Sequence, residues 1–165
     1  MTARTASTRV SRIINAPRAA VYQACTDPVA IATWRVPDGM EAHVHMFDLR
    51  EGGHFRISLT YRDQRLLPAR QPVRGKTSDD TDTFHGRFLE LRPNVRIVEL
   101  VVFQSDDPGF AGEMKITTTF TDTAGGTDVT LLCEDIPAGI RPGDNDAGCR
   151  QSLQNLARLM ERHCL

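Results

Sequence analysis

No stretch of this 165-residue chain approaches the roughly 18–20 consecutive apolar residues needed to cross a bilayer, so no membrane-spanning helix is expected. The opening MTARTASTRV has no hydrophobic centre, and a secretory signal is not expected either. It shares with transit peptides the lack of any acidic residue before Asp27. It has no amphipathic stripe, however, and runs directly into a strand pattern. Neither sign of charge is in excess: the formal net charge is −1, with no electrostatic ground for expecting nucleic acid or an anionic membrane surface as partner. Cys25, Cys133, Cys149 and Cys164 form no CxxC pair. A chain this long does not need disulfide staples, so they read as free thiols of a cytoplasmic protein. Cys25, Cys133 and Cys149 fall on apolar faces, where a thiol serves as a small hydrophobe. Internal repeats, low-complexity blocks and breaks in composition are also missing, which leaves one domain over 1–165.

What is present changes period three times. STRVSRII (7–14) reads as an opening strand. Pro17 suits the first turn of a helix that puts Val21, Ala24 and Cys25 on one face, and Asp27-Pro28 reads as the cap and start of a second. From residue 40 the period is two. MEAHVHMF sets Ala42, Val44 and Met46 against Glu41, His43 and His45, and HFRISLTY sets Phe55, Ile57, Leu59 and Tyr61 on one side. TFHGRFLEL, RIVELVVF, MKITTTF and TDVTLLCEDI follow, separated by turn signals at Arg92-Pro93-Asn94, 105–112 and Gly125-Gly126. Six successive strands without an intervening helix must pair antiparallel. The tail returns to helical spacing at Cys149, Leu153, Leu156 and Met160, one apolar face to be buried on the sheet. The order predicts an α+β fold in which a curved seven-stranded antiparallel sheet holds a long C-terminal helix, with two short helices between strands 1 and 2.

Glu99, in the middle of RIVELVVF, is the residue that most needs explaining. It shares a face with Ile97, Val101 and Phe103, but the opposite face, Val98, Leu100 and Val102, is equally apolar, so the pattern leaves the inward face open. Facing in, the carboxylate would be a polar point on a cavity wall, its pKa raised by desolvation unless Arg56 or Arg87 compensates. Facing out, it would pair with a cation on a neighbouring strand. His43 and His45 share a face, but a metal needs further ligands, and no metal site is expected. His85 precedes Gly86, a glycine that implies a bulge or a close approach by another group, plausibly the terminal helix or a ligand. No Ser-His-Asp or Cys-His arrangement stands at workable spacing, and no catalytic residue is assigned. The long segment 62–80, with four arginines, is either a lid contacting the cavity through Leu66 and Leu67 or a solvated loop.

INAPRAAVYQACTDP (14–28), Trp34, DLREGGHFR (48–56), HGRFLEL (85–91), FTDTAGGTDVTL (120–131) and AGCRQSLQNLARLME (147–161) resemble, in this order, the START/SRPBCC superfamily of helix-grip proteins. Within it they resemble the AHSA-like group, named after the activator of the heat-shock protein 90 ATPase. The resemblance implies a lipid-binding-like cavity between sheet and helix. Many relatives open the last helix with Gly-Trp where this chain has Gly148-Cys149, which implies more room here. The expected ligand is a small, largely apolar molecule bound without a cofactor. Expected lining residues are Trp34, Phe55, Arg56, Ile57, Tyr61, Phe84, Glu99, Val101, Phe103, Met114, Ile116, Cys133, Cys149, Leu153 and Leu156. Two alternatives stand beside this reading. One is a cyclase-like acid–base enzyme pairing Glu99 with His85 or Tyr61. The other is a protein-interaction domain, either a chaperone cofactor or a homodimer formed through RIVELVVF.

Overall fold

Local capping decides where the first helices begin and end. In the computed structural model, which describes residues 5–62 and 81–163, helix α1 spans Arg18–Thr26 and α2 spans Pro28–Trp34. The break between them is Asp27, whose carboxylate accepts a hydrogen bond from the Val29 amide at 3.0 Å while Pro28 occupies the first turn of α2. Trp34, the last residue of α2, turns back and donates from Nε1 to the Ala24 carbonyl at 2.9 Å, tying the two helices into one corner.

The strands are β1 (Ala6–Ile14), β2 (Met40–Phe47), β3 (His54–Tyr61), β4 (Thr81–Arg92), β5 (Arg96–Phe103), β6 (Met114–Thr123) and β7 (Gly126–Ile136). They form one seven-stranded sheet in the order β1-β7-β6-β5-β4-β3-β2, every neighbouring pair antiparallel. Strands β2 to β7 run as a meander and β1 returns beside β7. Helix α3 (Pro142–His163) packs chiefly on β1 and α2. This is the helix-grip architecture that the order of elements predicts. The segment 62–80, read as either a lid or a solvated loop, lies, except for Arg62, outside the described residues.

Two bulges modify the simple alternation. The β2–β3 register shifts between Val44 and Met46, so the chain reverses its facing at His45. Met46, expected on the face of Ala42 and Val44, is 53% exposed, and Phe47 instead meets Phe88 at a ring separation of 5.6 Å. A second shift between Phe88 and Glu90 leaves Leu89 outside. Strand β5 is interior, hydrogen-bonded on one side to β4 and on the other to β5's next neighbour β6, so its edges are not open to strand pairing with a second copy.

Gly86 lies opposite Phe55, and the close approach there comes from neither the helix nor a ligand. A Cβ at this position would overlap the Leu100 carbonyl oxygen on β5 and come within 2.7 Å of Phe55 Cζ. The Phe55 ring fills the space a side chain would take, and it packs against Phe88 at 5.1 Å. Gly86→Ala is therefore expected to lower stability by roughly 1–3 kcal/mol, the usual cost of overpacking a core. Urea denaturation would measure it. An unchanged midpoint would show that β4 and β5 can separate there without loss.

A candidate ligand cavity with a buried ion pair

Helix α3 is an uneven filler. Leu153 and Leu156 are completely buried, with Ala157 and Met160 nearly so. One turn nearer its N-terminus the same helix presents Asn145, Gly148, Cys149 and Ser152, at helical spacing but with small side chains. A cavity of about 180 Å³ opens between these residues and the sheet. Its walls are Leu59, Phe84, Ile97, Val101 and Phe103 from β3 to β5, Met114, Ile116 and Thr118 from β6, and Leu131 and Cys133 from β7. Cys25, Trp34, Arg35 and Pro37 complete it from the helical corner.

Glu99 faces into this space. It is 5% exposed, between Phe88 on β4 and Ile116 on β6, on the inward face with Ile97 and Val101. Its partner is Arg35, which donates from Nη1 to Glu99 Oε1 at 3.1 Å. Neither arginine proposed from the sequence takes that role. Arg56 points to the other face of β3, as alternation with Phe55 and Ile57 requires, and donates to Gln104 Oε1 at 3.1 Å. Arg87 pairs loosely with Glu113 at the surface. Arg35 is held from three directions. Its backbone N–H closes α2 onto the Ile31 carbonyl, its guanidinium stands 5.8 Å from the centre of the Phe84 ring, and it pairs with Glu99. Burial works to lower the pKa of Arg35, but the charge of Glu99 and the hydrogen bond to it outweigh burial and raise it.

The structure thus gathers Trp34, Phe84, Glu99, Val101, Phe103, Met114, Ile116, Cys133 and Cys149 around one space. The remaining expected lining residues stand elsewhere. Phe55, Ile57, Leu153 and Leu156 are plain core, and Tyr61 sits at the end of β3 opposite Met40. His85 is exposed and lies across from Arg56, so Glu99 has neither His85 nor Tyr61 as a partner. His43 and His45 are exposed with their rings 4.5 Å apart, and His45 also meets Ser58 Oγ at 2.7 Å. Among the described residues no group of three or more His, Cys, Asp or Glu is placed to hold a metal. A larger surface groove of about 480 Å³, rimmed by Asp38, Glu41, Arg62 and Arg158, contains none of the buried polar groups.

The thiols fall into two kinds. All three described cysteines are free. Cys25 is buried, and burial pushes its thiol far up. Cys133, also buried, and the half-buried Cys149 face each other at the cavity wall with their sulfurs 3.8 Å apart. The contact with Cys149, opposed by burial and helped by Asn145, Thr8 and the Arg35 charge, lowers the Cys133 thiol. The same contact, together with burial, pushes Cys149 up.

Comparison with known proteins agrees with the fold. The family profile described as Activator of Hsp90 ATPase homolog 1-like protein matches residues 15–161. The chain belongs to that family. Protein CV1439 from Chromobacterium violaceum is 33% identical, with a TM-score of 0.79 over 93% of this chain and 95% of its own. The AHSA1-like protein from Aeromonas hydrophila shares the fold at 22% identity and a TM-score of 0.69, over 96% and 94% of the two chains. DynU16, from the dynemicin biosynthetic locus, shares it at 23% identity and a TM-score of 0.65, over 94% of this chain and 47% of its own. No curated protein matches. No described helix of this AHSA1-like chain is long and apolar enough to cross a membrane.

Two outcomes follow from the paired groups. Glu99→Leu leaves Arg35 unpaired and is expected to cost about 3 kcal/mol, whereas Arg35→Met with Glu99→Leu recovers most of that loss in urea denaturation. Additive losses would show the two residues to be independent. Iodoacetamide labelling of Cys133 should slow as the pH falls and its lowered thiol takes up a proton, while Cys25, whose thiol is pushed up by burial, stays unlabelled in the folded protein. Peptide mass spectrometry distinguishes the sites.

Proposed function

We propose that this AHSA1-like chain binds a small, largely apolar molecule carrying a neutral hydrogen-bonding group, with its polar end at Arg35 and Glu99. The observation that carries this reading is an ion pair set into a mostly apolar cavity wall. A guanidinium fork has more N–H donors than the single bond to Glu99 uses, and a carboxylate accepts more than one hydrogen bond. A bound carbonyl, ester or amide oxygen would accept from Arg35, and a hydroxyl or N–H would donate to Glu99. The pair is neutral as a unit, so a charged ligand gains little from Arg35 that it does not lose to Glu99.

Size limits the class further. Apolar cavities of about 150 Å³ hold a benzene-sized molecule, while pockets for larger organic ligands run to roughly 300–1,000 Å³. At about 180 Å³ this cavity suits a single ring with one short substituent rather than an acyl chain. Trp34, the only tryptophan in the chain, lines the space and gives a direct signal.

Titration with acetophenone or benzamide is expected to change Trp34 fluorescence saturably, with benzoate binding more weakly. The folded Arg35→Met, Glu99→Leu double variant should lose about tenfold or more in affinity for the neutral probes, as expected for one charge-assisted hydrogen bond. Native mass spectrometry of protein purified from its source would identify a retained ligand. No saturable response to any probe, together with no retained molecule, would refute the binding role.

A further inference from the structure

We infer that Cys133 and Cys149 form a dithiol reaction site inside the cavity, one that a hydroperoxide converts to a disulfide joining the sheet to the terminal helix. Three observations carry this. The sulfurs are already in contact at 3.8 Å, between residues 16 positions apart on β7 and α3. Both line the cavity, Cys149 half-buried and Cys133 only 1% exposed, so a reagent reaches the pair through that space. The surroundings are polar in a way that packing alone does not require. Asn145 Nδ2 lies 3.8 Å from Cys149 Sγ and 2.8 Å from Thr8 Oγ1 on β1, which fixes the amide as a donor beside the thiols.

The chemistry balances with one hydroperoxide per pair. The Cys133 thiolate attacks the terminal peroxide oxygen. The O–O bond breaks, and the alkoxide or hydroxide that leaves takes up a proton, giving Cys133 sulfenic acid. The Cys149 sulfur then attacks the Cys133 sulfur, the S–O bond breaks, and the departing hydroxide takes the Cys149 proton as water. The two sulfurs are oxidised by two electrons in total and the peroxide is reduced by two. Forming the disulfide requires the two sulfurs to close from 3.8 Å to roughly 2.05 Å. The bond would cross the end of the cavity at which α3 presents its small side chains, so oxidation would also reduce the space available to a ligand.

The test uses the wild-type chain. After treatment with stoichiometric hydrogen peroxide, intact mass should fall by about 2 Da through loss of two hydrogens. Peptide mapping should show Cys133 joined to Cys149, reversible by dithiothreitol. The oxidised protein should melt about 5–10 °C higher, since the bridge closes a loop of this length in the unfolded chain. In Cys149→Ser, which lacks the second sulfur, dimedone should trap sulfenic acid at Cys133. The inference fails if both thiols of the peroxide-treated protein remain open to alkylation. It fails equally if the bridge found involves Cys25, Cys164 or a second molecule, or if Cys133 in Cys149→Ser takes up no oxygen.

Discussion

A curved antiparallel sheet of seven strands has a concave face wider than one helix can cover, and most of this protein follows from how that excess is filled. Helix α3 settles against β1 and α2, where its Leu153 and Leu156 are sealed. The strands farther round need other fillers. Phe47, Phe55, Phe84, Phe88 and Phe103 form a chain of ring contacts across β2 to β5 and occupy much of the gap. What they leave is bounded by the small residues on the first turns of α3, and the buried Glu99 and Thr118 face it. An ion pair is costly in a close-packed apolar core but less so beside a space that a polar guest or water can share.

Much of the fold was legible in the sequence because its signals are local. Asp27-Pro28 marks a helix junction wherever it occurs before an apolar face, and uninterrupted period-two segments leave antiparallel pairing as the only connection. The alternation failed at His45 and Leu89, since a bulge is one residue of extra chain and carries no composition of its own. The inward face of β5 could not be chosen from RIVELVVF because its two faces are equally apolar.

The site was only partly legible for a different reason. Arg35 is 64 positions from Glu99 and lies just beyond a helix, where an arginine ordinarily faces solvent. Arg56 looked nearer because it is on the sheet, yet its neighbours Phe55 and Ile57 already claim the inner face. Leu153 and Leu156 were drawn into the cavity by their place on an apolar stripe, although a complete stripe is what closes a gap. A sequence signal was present: Asn145, Gly148, Cys149 and Ser152 recur at helical spacing with little bulk, the mark of a face that leaves room.

Asn155 gives the ion pair a mechanical connection. From the middle of α3 its amide nitrogen donates to the carbonyls of Trp34 at 3.3 Å and Val36 at 3.0 Å, the residues on either side of Arg35. The backbone that carries the guanidinium is thus clipped to the helix rather than to the sheet that carries Glu99. Sliding of α3 along its axis would carry Arg35 with it and stretch the bond across the interior. The strength of that bond is thereby tied to the seating of the helix.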